Sequence, residues 1–230
     1  METVVAIIPA AGSGKRMKKG MNKQFLEIGG QTVLARTLLA FENAKCISEV
    51  VVVTRAEEIE QINGLIIENN IRKIRCVVEG GKERQDSIFE GLKQTKESDK
   101  WVLVHDGARP FITSDQIDAF IEELMLSKAL IMAVPSKDTI KKVDSGVVQE
   151  TLMRSELWNV QTPQGFMRSE ILKAYTLAKK DNYTGTDDAS LVEWAGGIVK
   201  VFMGSYENIK VTTPDDLFIG EAILKMRGEI

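Results

Sequence analysis

The fold is decided by the opening stretch Val4-Val5-Ala6-Ile7-Ile8-Pro9-Ala10-Ala11-Gly12-Ser13-Gly14-Lys15-Arg16-Met17. Its unbroken apolar run predicts a strand that is buried on both faces, as in a parallel sheet. Pro9 ends this strand because it has no N–H to donate to a ladder. The glycines that follow let backbone N–H groups approach an anion closely, and Lys15, Arg16 and Lys23 add positive charge. The stretch therefore predicts a strand that opens into a phosphate-binding loop.

This loop differs from two common phosphate-binding patterns. Met17 stands where the dinucleotide-binding fingerprint requires a third glycine, which counts against a dehydrogenase. The Gly-Lys-Ser/Thr ending of a P-loop is also missing. A flexible strand–helix turn with solvated lysines is therefore an open alternative. The positive charges favour a phosphate loop, because open α/β sheets bind ligands at the carboxyl ends of their strands.

Length and composition are those of an ordinary globular protein. A chain of 230 residues, 43% hydrophobic and 27% charged, can bury a sizeable core. The net charge of -3 argues against a nucleic-acid partner. We also expect no membrane partner, because no apolar run has the length of a span, and we predict a cytoplasmic protein because no signal-peptide pattern follows Met1. Cys46 and Cys76 are predicted to be free thiols.

Five predicted strands alternate with helices along the first 135 residues. The strands cover 4–9, 49–54, 73–79, 101–106 and 130–135, and the helices cover 31–44, 57–69, 85–95 and 113–125. Further helices are predicted at 168–180 and 186–195 and from Thr213, as the N-cap residue, onward, with a strand at 198–203. This order predicts an α/β fold, with a Rossmann-like, mostly parallel sheet and helices on both faces.

A β-hairpin interrupts this alternation. Residues 139–143 and 147–152 flank Asp144-Ser145-Gly146, a typical turn sequence. A two-stranded ribbon is only marginally stable by itself, so we expect a second copy of the chain to cover it. An ordinary edge hairpin on the parent sheet is the alternative. We predict a single domain over residues 1–230, with a protruding β-arm at 137–160 that forms a homodimer.

Charged and glycine residues collect at the carboxyl ends of the predicted strands. They are Gly12, Gly14, Arg16, Gly81, Arg84, Asp106 and Arg109. Because these ends share one edge of a parallel sheet, we expect a single crevice. A carboxylate beside phosphate-binding groups predicts that Asp106 binds Mg²⁺, a strand-end cap being the alternative. His105 is interpreted as an inert residue at the same edge. Such a set suits phosphoryl-type transfer, which needs mainly positioning and charge neutralisation.

Seven motifs, in order, resemble those of one enzyme family. They are Pro9-Ala10-Ala11-Gly12-x-Gly14-x-Arg16-Met17 with Lys23-Gln24-Phe25, Gly80-Gly81-x-x-Arg84-x-x-Ser87, His105-Asp106-Gly107-Ala108-Arg109-Pro110, Asp138-Thr139-Ile140-Lys141, Gln161-Thr162-Pro163-Gln164, Thr186-Asp187-Asp188-Ala189-Ser190 and Asn208-Ile209-Lys210-Val211-Thr212. The chain resembles the 2-C-methyl-D-erythritol 4-phosphate cytidylyltransferases of the non-mevalonate isoprenoid pathway. One departure is Asn22, where the family usually has proline, which implies a more mobile Lys23 before ligand binds.

The resemblance implies a fold of the nucleotide-diphospho-sugar transferase type and a reaction of CTP with methylerythritol phosphate. With Mg²⁺ bound, the acceptor phosphate would attack the α-phosphorus directly and release pyrophosphate. Catalytic roles are implied for Arg16, Lys23, Arg154 and Lys210. Nucleotide binding is implied for Ala10, Ala11, Gly12, Gly14, Gly81, Arg84, Ser87 and Asp106, with Asp106 also the metal ligand. Acceptor binding is implied for Asp106, Thr139, Arg154, Thr162, Thr186 and Lys210, and Thr139 and Arg154 would serve the partner's site across the dimer.

Two other functions are kept open. A ribitol-5-phosphate cytidylyltransferase would share the nucleotide half, although Gly107-Ala108 resembles the methylerythritol phosphate enzymes more closely. A non-catalytic nucleotide sensor on the same fold could keep the glycines. It would have no reason to keep Arg16, Lys23 and Lys210.

Overall fold

A seven-stranded sheet forms the centre of the chain, with the strand order β11-β7-β10-β6-β1-β4-β5. The computed structural model describes residues 2–12 and 23–230, so the predictions for Gly14, Arg16 and Asn22 lie outside the described residues. The strands are β1 (Thr3–Pro9), β2 (Glu27–Ile28), β3 (Gln31–Thr32), β4 (Glu49–Thr54), β5 (Ile74–Glu79), β6 (Asp99–Val104), β7 (Ala129–Pro135), β8 (Lys141–Asp144), β9 (Val147–Thr151), β10 (Trp158–Met167) and β11 (Lys200–Met203). The remaining strands form two small hairpins, β2–β3 and β8–β9.

The predicted mostly parallel sheet is confirmed. Strand β1 pairs in parallel with β4 and β6, β4 with β5, and β7 with β11. Among the described strands of this sheet, β10 alone runs the other way, between β6 and β7. The carboxyl ends of β1, β4, β5 and β6 therefore meet at one edge, which is where the sequence places its charged turns.

Helices cover both faces of the sheet, as predicted. They are α1 (Val33–Asn43), α2 (Ile59–Glu68), α3 (Arg84–Leu92), α4 (Ser114–Ser127), α5 (Arg168–Lys180), α6 (Asp188–Trp194) and α7 (Asp215–Met226). Side chains of β1 alternate between two cores: Ala6 and Ile8 pack with α1, α2 and α4, whereas Val5 and Ile7 pack with α3, α5 and α6. A strand buried on both faces must be apolar throughout, which explains the uninterrupted run at the start of the chain.

Strand β10 is missing from the sequence-based prediction. It contains Pro163 and Gly165, which weaken the strand signal. The register with β7 shifts between Val160 and Gln164, so the proline lies where ladder pairing is interrupted. Tertiary pairing on both sides overrides the local signal here.

Two boundaries also differ from the prediction. Helix α1 begins at Val33 instead of 31, because Gln31 and Thr32 pair with β2. Helix α7 begins at Asp215 with Pro214 at the cap position, so Thr213 is not the N-cap residue. Instead, the Asp216 carboxylate accepts hydrogen bonds from the backbone N–H groups of Thr212 and Thr213, both at 2.7 Å. A carboxylate in the first turn thus satisfies the two backbone donors that precede the helix.

The hairpin β8–β9 projects from the sheet with every residue of its two strands exposed. Its turn residues Ser145 and Gly146 both have positive φ, +47° and +80°, as a two-residue hairpin turn requires. Trp158–Val160 pair with β7 and belong to the central sheet, although the predicted arm extends to residue 160. Both cysteines are free, as predicted. None of the helices in residues 2–12 and 23–230 is long and apolar enough to cross a membrane.

Candidate active site

A cleft of about 560 Å³ opens at the carboxyl ends of β1, β4, β5 and β6. Its lining includes eight of the residues that the sequence assigns to a site: Ala11, Gly12, Lys23, Gly81, Arg84, Ser87, Asp106 and Lys210. These residues come from five separate stretches of the chain. The sheet edge brings them together because parallel strands deliver their carboxyl ends to the same side.

The first wall of the cleft is the backbone that leaves β1. The N–H of Ala10 donates to the Val53 carbonyl oxygen at 2.6 Å, which continues the β1–β4 ladder by one residue. Ala10 is fully buried behind the cleft, whereas Ala11 and Gly12 line it. This hydrogen bond therefore fixes the start of the predicted phosphate loop relative to the ends of β1 and β4.

The second wall is the turn between β5 and α3. A Cβ atom at Gly81 would lie 2.2 Å from the Cβ atom of Asp86, so the close packing of this turn requires glycine. Ser87 is buried and its hydroxyl donates within the turn, to the Glu83 carbonyl oxygen at 3.0 Å. Arg84 is the first residue of α3 and extends toward Asp106.

Asp106 lies at the centre of a cluster of positive charges. Its carboxylate is 2.7 Å from Lys210 Nζ, 3.5 Å from Arg84 Nε and 3.6 Å from Arg109 Nε. Only 7% of Asp106 is exposed. Burial by itself raises the pKa of this carboxyl, but the three cations outweigh it and hold the pKa well below its usual range. Asp106 is therefore a permanent carboxylate at neutral pH.

A second carboxylate holds Arg84 from the other side. Asp188, which is fully buried, accepts a hydrogen bond from Arg84 Nη2 at 2.7 Å and another from the Tyr175 hydroxyl at 2.5 Å. Burial lowers the pKa of Arg84, but the charges of Asp188 and Asp106 outweigh it and raise the pKa above the ordinary value. Burial also raises the pKa of Tyr175 well above 10. The guanidinium is thus fixed between two carboxylates.

Sequence reasoning did not assign Asp188 or Tyr175 to the site, and it placed Arg109 in the crevice without giving it a role. The signal for Asp188 is the pair of acids at the start of α6. Asp187 caps this helix by accepting from Ser190 N at 2.9 Å, and the second acid is then directed inward, where a buried carboxylate requires a cation.

Two lysines add to the positive charge of the cleft. Lys23, with 9% of its surface exposed, donates from Nζ to the Val211 carbonyl oxygen at 3.1 Å. Lys210 precedes Val211 in the chain and reaches Asp106. The segment 210–212 therefore connects the lysine that follows the β1 loop with the cluster around Asp106.

His105 and Thr162 lie behind Asp106 in the buried interior. Thr162 is 4% exposed, and its hydroxyl accepts from the Asp106 N–H at 3.0 Å. Both ring nitrogens of His105 have partners, Thr162 and the Arg109 carbonyl oxygen, and these contacts do not test the interpretation of His105 as an inert residue. Burial lowers the pKa of His105 to about 4.

Three predicted acceptor-binding residues lie apart from the lining of this cleft. Thr139, Arg154 and Thr186 are all exposed. Arg154 Nη1 donates to the Lys137 carbonyl oxygen at 3.3 Å, at the base of the hairpin. Among the residues described, no group of three or more histidine, cysteine and acidic side chains could hold a metal by itself. A cation at Asp106 would therefore take most of its ligands from a substrate.

Comparison with known proteins identifies the family. Residues 4–226 match the family model described as 2-C-methyl-D-erythritol 4-phosphate cytidylyltransferase. The chain is 50% identical over 218 residues to the protein of that name from Halalkalibacterium halodurans, covering 95% of each chain. It is 48% identical over 222 residues to the protein of that name from Geobacillus thermodenitrificans, covering 96% of this chain and 97% of the other.

Solved structures agree with the sequence comparison. The crystal structure of 4-diphosphocytidyl-2C-methyl-D-erythritol synthase from Anaerococcus prevotii aligns with a TM-score of 0.87 and 36% identity, covering 97% of this chain and 96% of that one. The 2-C-methyl-D-erythritol 4-phosphate cytidylyltransferase from Thermus thermophilus aligns with a TM-score of 0.80 and 31% identity, covering 98% and 100%. The chain belongs to the 2-C-methyl-D-erythritol 4-phosphate cytidylyltransferase family, and it is a nucleotidyltransferase enzyme of isoprenoid precursor biosynthesis.

Proposed function

We propose that this chain transfers the cytidylyl group of CTP directly to the phosphate of 2-C-methyl-D-erythritol 4-phosphate and releases pyrophosphate. The observation that carries the proposal is the set of cations around Asp106 in a cleft walled by glycine turns. In this reaction a phosphate oxygen of the acceptor forms a bond to the α-phosphorus of CTP. The bond from the α-phosphorus to the bridging oxygen breaks, and pyrophosphate leaves with its electron pair. The substrates supply both reacting groups, so the protein needs to supply position and charge.

The charge balance of the site suits this reaction. Arg84, Arg109 and Lys210 surround the carboxylate of Asp106, and Arg84 also pairs with Asp188. Lys23 lines the same cleft, so these four cations stand against two carboxylates. CTP and the acceptor both bring phosphate groups, and more negative charge gathers on the α-phosphate in the transition state. We assign stabilisation of that charge to Lys23 and, outside the described residues, to Arg16.

The nucleotide end of the cleft is assigned to the two glycine turns. The backbone at Ala10, Ala11, Gly12 and Gly14 and at Gly81, with Ser87 behind it, would hold the cytidine nucleotide. Arg84 would contact its phosphates or ribose while Asp188 holds the guanidinium in place. Close backbone approach to a ligand is the property that glycine supplies at such turns.

Magnesium is proposed as the cofactor, with Asp106 as its protein ligand. Mg²⁺ prefers one or two carboxylates together with phosphate oxygens and water, and the permanently ionised Asp106 fits that preference. The ion, when bound, would neutralise the triphosphate and make pyrophosphate a better leaving group. Lys210 and Arg84 keep the carboxylate deprotonated and oriented for this role.

The acceptor end is assigned to Asp106, Thr162, Thr186 and Lys210. Lys210 can pair with the acceptor phosphate, and Asp106 can accept from its hydroxyl groups. Thr139 and Arg154, which are exposed and lie outside the lining of their own cleft, are assigned to the acceptor site of a second subunit. We therefore propose a homodimer in which the hairpin arm crosses to the partner, in the cytoplasm.

Exposed apolar side chains on the arm support this dimer. Val143 is 54% exposed and Val148 is 55% exposed on a ribbon that pairs only with itself among the described strands, and Met153, just after the ribbon, is 65% exposed. A two-stranded ribbon of this kind gains most of its stability from a partner surface.

A test of the shared site is to mix two inactive variants, Arg154→Ala and Lys23→Ala. Heterodimers would contain one intact composite site, so partial recovery of activity supports the shared site, and no recovery despite proven subunit exchange contradicts it.

The function itself is tested by measuring pyrophosphate release with CTP and Mg²⁺ and two alternative acceptors. Release with methylerythritol phosphate and not with ribitol phosphate is the expected result. Release with ribitol phosphate alone would support cytidylyl transfer with ribitol phosphate, instead of methylerythritol phosphate, as the acceptor. CTP binding without release for either acceptor would favour the non-catalytic sensor.

A further inference from the structure

A closed ring of hydrogen bonds lies directly beside Asp106. His105 Nε2 is 3.1 Å from the Arg109 carbonyl oxygen, and Arg109 Nη1 donates to the Asn208 carbonyl oxygen at 2.7 Å. Asn208 Nδ2 donates to the Thr162 carbonyl oxygen at 2.9 Å. The Thr162 hydroxyl closes the ring at 3.1 Å from His105 Nδ1. His105 and Asn208 are fully buried, so water does not compete for these bonds.

Which nitrogen of His105 donates and which accepts follows from neighbouring groups that can only donate or only accept. The Arg109 carbonyl oxygen can only accept, so Nε2 of His105 must carry a proton. The Asp106 N–H can only donate, so it uses one lone pair of the Thr162 hydroxyl. The hydroxyl proton is then available to Nδ1 of the neutral imidazole, which accepts it.

The ring joins three segments that are distant in sequence. His105 and Arg109 follow β6, Thr162 lies in β10, and Asn208 lies two positions before Lys210. Two of these segments supply Asp106, Arg109 and Lys210 to the cluster in the cleft. Phe41 packs against the His105 ring at 5.1 Å between centroids and fixes its plane.

We infer that His105 is a positioning residue for the acceptor end of the site, which acts through this ring to hold Asp106, Arg109 and Lys210 in their relative places. His105 itself is fully buried and is not part of the cleft lining. The inference rests on the proposed function where it concerns turnover.

The tautomer provides a test that does not need activity. The chain contains a single histidine, so a long-range ¹H–¹⁵N spectrum reports His105 without overlap. We expect the Nε2–H tautomer in the wild-type protein, and a changed Nδ1 resonance in Thr162→Val, which removes the donor. Thr162→Ser, which keeps the hydroxyl, serves as the matched control. An Nδ1–H tautomer, or an Nδ1 resonance that Thr162→Val leaves unchanged, would overturn the inference.

Kinetics test the positioning role. His105→Phe keeps a flat ring against Phe41 and removes both hydrogen bonds, whereas His105→Asn and His105→Gln each keep one polar group. We expect His105→Phe to lower kcat/KM for the acceptor roughly 10-fold or more while the KM for CTP changes less than about threefold, with Asn and Gln intermediate. If His105→Phe does not fold, the Asn and Gln variants carry the same comparison.

The outcomes are distinguishable from a failure of the proposed function. Equal effects on CTP and on the acceptor would indicate a general structural role and overturn the inference. Wild-type kinetics in all folded His105 variants would overturn it as well. A wild-type protein that is inactive with CTP and methylerythritol phosphate would contradict the proposed function, and the spectrum would then decide the inference by itself.

Discussion

Replacing Asp188 by asparagine is expected to lower the free energy of unfolding by about 2–3 kcal/mol. The substitution keeps the shape of the side chain and removes its charge. Asp188 accepts from Arg84 at 2.7 Å and from Tyr175 at 2.5 Å in a fully buried position. An asparagine can offer its oxygen to only one of them, because its NH₂ group cannot accept.

The magnitude follows from the geometry. The asparagine oxygen is expected to face Arg84, because a guanidinium cannot accept from the amide, and the Tyr175 hydroxyl then loses its acceptor while almost fully buried. One weakened charge-assisted bond and one unsatisfied hydroxyl cost about 3–4 kcal/mol when both are fully desolvated. The Arg84 side chain is 34% exposed, and water compensates part of this loss, which gives the lower figure.

The assay is urea unfolding, with thermal unfolding for Tm, of four variants beside the wild type: the control, Asp188→Asn, Arg84→Met and the double variant. Asp115→Asn is the matched control, since it makes the same change in the first turn of α4 at an exposed position, where little effect is expected. Asp188→Asn should lower Tm by about 5–10 °C in a chain of this size. The double variant Asp188→Asn/Arg84→Met should be less destabilised than the sum of the single variants. Additive effects, or equal effects of Asp115→Asn and Asp188→Asn, would refute the coupling.

Three further predictions concern charge. Lys23→Ala should lower kcat by about two to three orders of magnitude, or about 3–4 kcal/mol, because a donor to the transition state is lost, and near-normal single-turnover rates would contradict this role. Lys210→Met should lower kcat/KM about 100-fold or more, with partial recovery in Lys210→Arg, whereas equal activity of the two variants would show that the charge is not used. Arg75 pairs with Glu49 and with the buried Asp99, at 2.6 Å to the latter. Burial raises the pKa of Asp99, but the bonds from Arg75 outweigh it, so the net pKa shift is downward. The hydrogen bond from Arg75 likewise lowers the pKa of Glu49. Both folded pKa values lie below the unfolded values, so their stabilisation is present above about pH 4 and is lost as the pH falls through the folded values. Arg75→Met should cost about 3 kcal/mol at pH 7 and flatten this acid-dependent loss, which urea unfolding at pH 7 and at steps from about pH 4 down to about pH 2 would measure.

The sequence predicts most of the fold because its strongest signals are local. An apolar run such as Val4–Ile8 can belong only to a strand covered on both sides, and glycine turns after successive strands indicate a common edge. Gly81 is a clear case, since the packing of its turn against Asp86 leaves no room for a side chain. The cluster at Asp106 follows from the same reasoning. Strand β10 cannot be predicted in this way, because Pro163 weakens the local strand pattern.

The sequence by itself determined the order of the strands and helices other than β10 and the short β2–β3 pair, the edge of the sheet that carries the chemistry, and the residue types gathered there. Tertiary structure alone decided which partner each buried polar group has. Arg84 and Asp188 are 104 positions apart, and His105 and Thr162 are 57 positions apart, yet each pair is in hydrogen-bond contact. The physical reason is that hydrophobic periodicity reports only which face of an element is buried. A buried polar group forms its hydrogen bonds with the groups that the packed elements place beside it, and the local sequence does not show which groups these are.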